Sequence, residues 1–377
     1  MIKILLKRGE EKNIQKGYPW VFANQVASES ILVTEAPGSL VELGDYRGKY
    51  LANGYLDNDS KICLRLFNRK VGRLDKESFK KAIESCLHKR SKNFTEPFYR
   101  LINAEGDDLP GLVIDRFGDY FSCQFNNAGI LAHREPILAA LTEVFLPRGI
   151  VVRADKTLEI IGNVPEAITI AENELKFSAD LISGQKTGWY YDQRENRTRI
   201  AELAQGRRIL DVFCYSGGFG ISAAAAGASA LTFIDSSSQA MELVAKNLKL
   251  NGVSAPVSLI AAEVFAALDQ LTQAGDKFDI IVLDPPPFIK SRHNKAAGIK
   301  GYEKLLKHTL PLLAPHAHIL YATCSHHMQM HDLCKVIATT FKNTPHTIIG
   351  KYGHAKDHPT HPHLPESRYL NAVLVEV

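Results

Sequence analysis

The chain has 377 residues, with 45% hydrophobic and 23% charged side chains, an ordinary balance for a soluble globular protein. One core stops growing near ~250–300 residues, so two or three domains are expected. The net charge of +4 is unevenly spread, with 19 Lys/Arg against 12 Asp/Glu in residues 1–100 and a slight acidic excess beyond. A basic front half fits a polyanion partner held at that end, and equally a solvated basic surface. The six cysteines, at 63, 86, 123, 214, 324 and 334, form no CxxC pair, which reads as reduced thiols. No run of 18 apolar residues exists, and the N-terminal apolar run is too short for a signal peptide. A membrane span and a disulfide framework are excluded, and the cytoplasm is the expected location.

Residues 1 to about 70 place short apolar runs between turn residues. Ile2–Leu6, Ser39–Leu43 and Ile62–Phe67 read as strands, with turns at Gly44-Asp45, Arg47-Gly48 and Asp57-Asn58-Asp59. A helix is expected over Asp75–Phe94, with Phe79, Ile83 and Leu87 on one face. Strands at 111–116 and 120–125, a helix near 130–145 and strands at 150–154 and 167–171 follow. From about residue 208, strands alternate strictly with helices. Strands are expected at 208–213, 231–234, 257–261, 278–283 and 319–322. A helix shows Met241, Val244, Ala245 and Leu248 on its core face. Alternation of this kind implies a parallel sheet covered on both sides, with ligands at the carboxyl ends of its strands.

Candidate functional residues stand at those ends. Asp211-Val-Phe213-Cys-Tyr215-Ser-Gly217-Gly-Phe-Gly220 leads from the first strand into a helix, its glycines allowing close approach of a ligand. Asp235 ends the second strand and suits a ribose diol. The loop lacks GxGxxG, which disfavours a nicotinamide site. The fourth strand exits through Asp284-Pro-Pro-Pro287-Phe288, a stiff extended path that occurs beside methyl-donor pockets. The fifth exits at Cys324-Ser-His326-His327. Carbon 5 of a pyrimidine accepts a methyl group only after a thiolate adds at carbon 6, so Cys324 is the candidate nucleophile, with Asp284 bonding the ring nitrogens. The bland alternative is a packing cysteine. Cys214 competes but lies in the first loop. Ten of the 14 histidines lie beyond residue 315, without standard zinc spacing, so no metal is expected.

These residues resemble a known family, the bacterial ribosomal-RNA cytosine-C5 methyltransferases with an N-terminal PUA domain. The motifs are Gly17-Tyr-Pro-Trp20-Val-Phe22, Glu105-Gly-Asp107-Asp-Leu-Pro-Gly-Leu-Val-Ile-Asp115-Arg116, Gly184-Gln-Lys186-Thr187-Gly188 through Asp192 to Arg197, and Asp357-His358-Pro359 with Pro365–Leu370. The resemblance implies an α/β fold in three parts. These are a PUA-like RNA-binding β-barrel over 1–72, an α+β middle domain over 73–178, and a Rossmann-like methyltransferase domain over 179–377. It implies S-adenosylmethionine as cofactor, held by Lys186, Thr187, Asp192, Asp211, Phe213, Tyr215, Gly217, Asp235, Ser236, Glu263 and Asp284. Cys324 and Asp284 are then catalytic, and the partner is RNA of the large ribosomal subunit. Glu263 stands where Asp is more usual, and Ser216 where Thr is commoner. Transfer to an exocyclic base nitrogen, or an inactive RNA-binding assembly factor, are the other readings. The oligomeric state is left open, with a homodimer as one option.

Overall fold

Apolar runs of four to seven residues between turn residues are long enough only for strands, and they pair as such in the first part of the chain. The computed structural model describes residues 1–28, 31–67, 70–155, 157–182, 184, 188–289 and 291–377. They form two compact units, one of residues 1–168, 180–191 and 356–367, the other of 169–179, 192–355 and 368–377. Among the described residues no helix is long and apolar enough to cross a membrane.

In the first unit one five-stranded sheet runs Ile2–Leu5, Leu40–Gly44, Tyr50–Leu56, Ile62–Leu66, Trp20–Phe22, with only the first pair parallel. A second sheet runs Thr157–Gly162, Gly149–Ala154, Tyr120–Phe125, Leu112–Phe117, Phe98–Asn103. The expected helix at 75–94 spans Lys76–Ser91, begun by the Asp75 carboxylate accepting the Ser78 N–H at 3.0 Å. The expected helix at 130–145 is two, Ala128–Leu131 and Arg134–Phe145, because the His133 backbone leaves helical angles (φ −102, ψ 17).

The acids of the motif from Glu105 to Arg116 hold this unit together. Glu105 accepts from the Trp20 indole at 2.8 Å and from Arg65 at 3.1 Å. Asp107 pairs with Arg90, and Asp115 takes two bonds from Arg100 at 2.8 and 3.0 Å. A carboxylate out of water stays charged only when paired, so these acids require arginines from elsewhere in the chain. The segment 356–367 returns to the same place. Asp357 accepts the Arg100 N–H at 3.0 Å, and Asn103 donates to the Pro359 carbonyl at 2.9 Å. A Cβ on Gly106 would stand 1.8 Å from that carbonyl oxygen, so the close approach demands glycine.

The second unit carries a seven-stranded sheet. Its strands are β1 (Arg208–Val212), β2 (Ala230–Asp235), β3 (Val257–Ala261), β4 (Phe278–Leu283), β5 (Leu313–Thr323), β6 (Thr347–Tyr352) and β7 (Asn371–Glu376), in the spatial order β3-β2-β1-β4-β5-β7-β6. Helix α1 (Arg194–Leu203) precedes β1, and α2 (Gly218–Ala225), α3 (Ser238–Leu250), α4 (Val264–Gln273), α5 (Lys295–Thr309) and α6 (Met330–Thr340) lie between successive strands from β1 to β6. The α/β architecture expected from the alternation is present. The sheet is not wholly parallel, however, because β7 runs antiparallel to both β5 and β6. Ile280–Leu283 of β4 and Ile319–Ala322 of β5 are fully buried, which explains their unbroken apolar runs.

The core face expected for α3 needs correction. Met241 and Val244 are buried, but Ala245 is exposed and Asn247 takes a core position. Its side chain accepts the Ser178 N–H at 2.8 Å and donates to the Ser216 carbonyl at 3.0 Å. An apolar-periodicity reading passes over a buried asparagine. Replacing it orphans both groups, so Asn247→Ala should cost about 2–4 kcal/mol. Urea unfolding should show a lower midpoint at unchanged slope, and an unmoved midpoint would remove this bridge from the stability of the unit.

Candidate active site

Parallel strands deliver the residues that follow them to one edge of the sheet, and the order reverses beside β1, which pairs with both β2 and β4. Asp211 lies in β1, Asp235 ends β2, and Asp284 follows β4. Leu283 stands opposite Tyr321 in the β4–β5 register, so Asp284 and Cys324 leave neighbouring strands at the same edge.

The loop from β1 to α2 has an unusual backbone. Phe213, Tyr215 and Gly217 adopt φ of +61, +48 and +78. Two non-glycine residues in the left-handed region cost on the order of 1 kcal/mol each and persist only when neighbours hold them. Here the Tyr215 N–H donates to Asp235 Oδ2 at 3.0 Å, and the Gly217 N–H to the Cys214 carbonyl at 2.8 Å. The other Asp235 oxygen accepts the Ser237 N–H at 3.0 Å. Two backbone donors thus fix a half-buried carboxylate, and each oxygen keeps a lone pair for a ligand. Gly220 serves packing. A Cβ on Gly220 would stand 2.3 Å from the Phe233 ring, so that glycine admits a core aromatic rather than a ligand.

Asp211 is buried. Its Oδ2 accepts the Gly220 N–H at 2.9 Å, while Oδ1 has no hydrogen-bond partner among the described residues. Burial pushes its carboxyl up to about 7, and the negative charges of Asp284 and Asp235 push the same way. Asp284 accepts from the Gln193 amide at 2.9 Å, and Gln193 is oriented in turn by Asn196 at 2.6 Å. Asp192 accepts the Tyr369 hydroxyl at 2.6 Å. Ser236 is exposed beside Asp235. Glu263 is exposed too, and its carboxylate caps α4 by accepting the Ala266 N–H at 3.0 Å. Lys186 and Thr187 lie outside the described residues.

Cys324 is half-buried, between Thr323 and Ser325. The Tyr302 hydroxyl bonds both flanking residues, Thr323 Oγ1 at 2.7 Å and Ser325 Oγ at 2.8 Å. The Tyr302 ring packs against Phe288 with centroids 4.8 Å apart, and Phe288 meets Phe213 edge-on at 6.5 Å. One side chain of α5 therefore secures the loops after β4 and β5 together. Sequence reading misses Tyr302, which looks like one more residue of a helix, and it gives no individual role to Gln193 and Tyr369, although both lie within the motifs at 184–197 and 365–370. Cys214, the competing thiol, is buried, and burial with nearby Asp211 and Asp235 raises its pKa far above the usual thiol range. The late histidines have other work. His354 accepts the Leu370 N–H at 3.0 Å and His326 lies 5.7 Å from the Tyr369 ring. Among the described residues no three metal-ligating side chains are gathered.

The sequence profile of the S-adenosylmethionine-dependent methyltransferase family matches residues 135–349, and that of the PUA-like domain matches residues 4–69. The chain belongs to this methyltransferase family. It is 33% identical over 392 residues to ribosomal RNA large subunit methyltransferase I of Aeromonas hydrophila, covering 99% of this chain and 98% of the relative. Two solved structures each match over 100% of both chains. One is described as a SAM-dependent methyltransferase from Streptococcus mutans, 25% identical with a TM-score of 0.87. The other is described as a methyltransferase complexed with SAH, 26% identical with a TM-score of 0.89.

The methyltransferase site fits its donor. S-adenosylmethionine carries a sulfonium and an ammonium, and the buried Asp211, whose Oδ1 has no hydrogen-bond partner among the described residues, would suit a positive charge. The raised Asp211 pKa sets a pH dependence. The native state binds more protons than the unfolded chain between the unfolded value near 3.8 and about 7, so stability falls as pH rises through that window and then levels off. Asp211→Asn keeps an acceptor for the Gly220 N–H and should remove this part of the fall, up to roughly 4 kcal/mol. Urea midpoints at pH 5 and pH 8 check it, and parallel profiles for the two proteins would rule the effect out.

Proposed function

We propose that this methyltransferase acts on large-subunit ribosomal RNA in the cytoplasm and places the methyl group on carbon 5 of a cytosine. The RNA substrate is inferred from full-length likeness to a relative named for that activity. The carbon-5 reading rests chiefly on one observation. The half-buried thiol of Cys324 leaves the sheet beside Asp284, whereas the thiol of Cys214 is buried and held protonated. The basic PUA-like region is the expected RNA-holding part, where Arg8 and Arg47 stand 5.7 and 5.1 Å from the Tyr46 ring.

In this reading Asp235 takes the ribose hydroxyls of the donor and the loop of Phe213, Tyr215 and Gly217 lines its adenosine. Asp192, Asp211, Ser236 and Glu263 complete the donor set within the second unit. When bound, S-adenosylmethionine supplies an electrophilic methyl group. The Cys324 thiolate adds to carbon 6 of the cytosine, which makes carbon 5 electron-rich, and Asp284 hydrogen-bonds the ring nitrogens as charge develops there. After transfer a water molecule takes the proton from carbon 5, its electron pair restores the bond between carbons 5 and 6, and the bond from carbon 6 to sulfur breaks to restore the thiolate.

Asp235→Ala should weaken binding of S-adenosylhomocysteine at least tenfold, a loss of ~1.4 kcal/mol or more. Unchanged affinity by calorimetry would remove Asp235 from the donor site. The chemical step is tested with large-subunit RNA transcribed entirely with 5-fluorocytidine, whose carbon 5 has no proton to lose. A covalent protein–RNA adduct should persist on a denaturing gel. Cys324→Ala should abolish both adduct and methylation, while Cys214→Ala still forms adduct. A Cys324→Ala enzyme methylating at near wild-type rate would sink the carbon-5 mechanism in favour of transfer to an exocyclic nitrogen.

A further inference from the structure

A cleft of about 530 Å³ opens beside the exit of β4, outside the donor loop. Pro286, Pro287 and Phe288 form one wall, and Ala297, Gly298 and Gly301 of α5 form the other. The two glycines are there for closeness. A Cβ on Gly298 would meet Ile289 at 2.3 Å, and one on Gly301 would meet the Phe288 ring at 3.2 Å. Glycine inside a helix costs about 1 kcal/mol, so the approach of α5 to this wall is kept at some expense.

The lining favours a flat, apolar-faced ligand with a negative tail. Proline and phenylalanine faces accept a planar ring, and Asn294 at the mouth offers both a donor and an acceptor to a ring edge. Among the described residues no carboxylate lines the cleft. Helix α5 carries four lysines (295, 300, 304, 307) and one acid, Glu303. Lys295 is paired with Asp332 at 2.6 Å and Lys304 lies over the Phe265 ring at 4.2 Å. Lys300 is exposed, about 60° around the helix from Ala297, whereas Glu303 lies on the far side from Gly301. The cleft is also mechanically tied to the chemistry. Phe288 follows Asp284 by four residues and packs on Tyr302, whose hydroxyl holds both neighbours of Cys324.

We propose that this cleft seats the base of a nucleotide flanking the methylated one on a single-stranded stretch of the RNA substrate, with Lys300 on its phosphate. The proposal rests on the RNA reading above. Base stacking on protein faces tolerates any base, so the cleft adds affinity and fixes the register of the strand rather than choosing the sequence.

The test uses the full-length protein, unmodified large-subunit RNA transcribed in vitro, and S-adenosylmethionine with a radioactive methyl group. Ala297→Leu fills the cleft and Lys300→Glu reverses the charge, and neither residue belongs to the donor or reacting set. Each should raise the KM for RNA at least fivefold, with kcat and S-adenosylhomocysteine affinity unchanged. Ala297→Ser, which leaves the cleft open, should match the wild type. Lys300→Ala should flatten the slope of log affinity against log salt by about 0.7, as loss of one single-strand phosphate contact requires. An unchanged KM in both Ala297→Leu and Lys300→Glu overturns the cleft and leaves the RNA reading intact. So does a change in sedimentation mass without a change in KM, which would assign the cleft to a second copy of the chain. A wild-type protein that methylates no RNA overturns the RNA reading and the cleft with it.

Discussion

Three carboxylates at the ends of adjacent strands in a low-dielectric edge repel one another, and the second unit is arranged around that repulsion. Asp235 is held by two backbone N–H groups, Asp284 by the Gln193 amide, and Asp211 by one backbone N–H with its other oxygen left over. The least exposed of them answers by binding its proton more tightly. The left-handed Phe213 and Tyr215 add a backbone cost at the same edge, which the bonds to Asp235 help to hold.

The second constraint is the union of two loops through one phenol. Strands β4 and β5 are adjacent and parallel, so their exits start close together, but loops drift unless tied. Tyr302 reaches from α5 to Thr323 and Ser325 and stacks on Phe288. Any motion of the Asp284-to-Phe288 segment is thereby shared with the segment around Cys324. A buried hydroxyl bonded on both sides of Cys324 holds the position of that residue relative to the β4 exit.

The first unit solves a different problem with the same physics. The acids at 105, 107 and 115 are out of water, and each is matched by an arginine or indole from a distant part of the chain. The conspicuous motif there is a structural ion-pair framework, and its partners at Trp20, Arg65, Arg90 and Arg100 come from four different elements. Segment 356–367 closes it through Asp357 and Pro359.

The linear sequence was enough for the alternation of strands and helices, the acid at each strand tip and the cysteine after β5, because buried parallel strands and Gly- or Pro-marked exits leave local signals. The alternation reading ended at β5 and did not include Thr347–Tyr352 and Asn371–Glu376, which pair as an antiparallel edge of the same sheet. Asn247 among apolar neighbours and Tyr302 beneath the Cys324 loop left no local signal, and Gln193, though inside a recognisable motif, gave none of its bond to Asp284. Each matters through a partner 21 to 91 residues away. Periodicity reports how a residue sits on its own element, whereas a buried polar group is explained only by the atom it bonds. That partner is chosen by the packing of whole elements, so only the tertiary structure decides it.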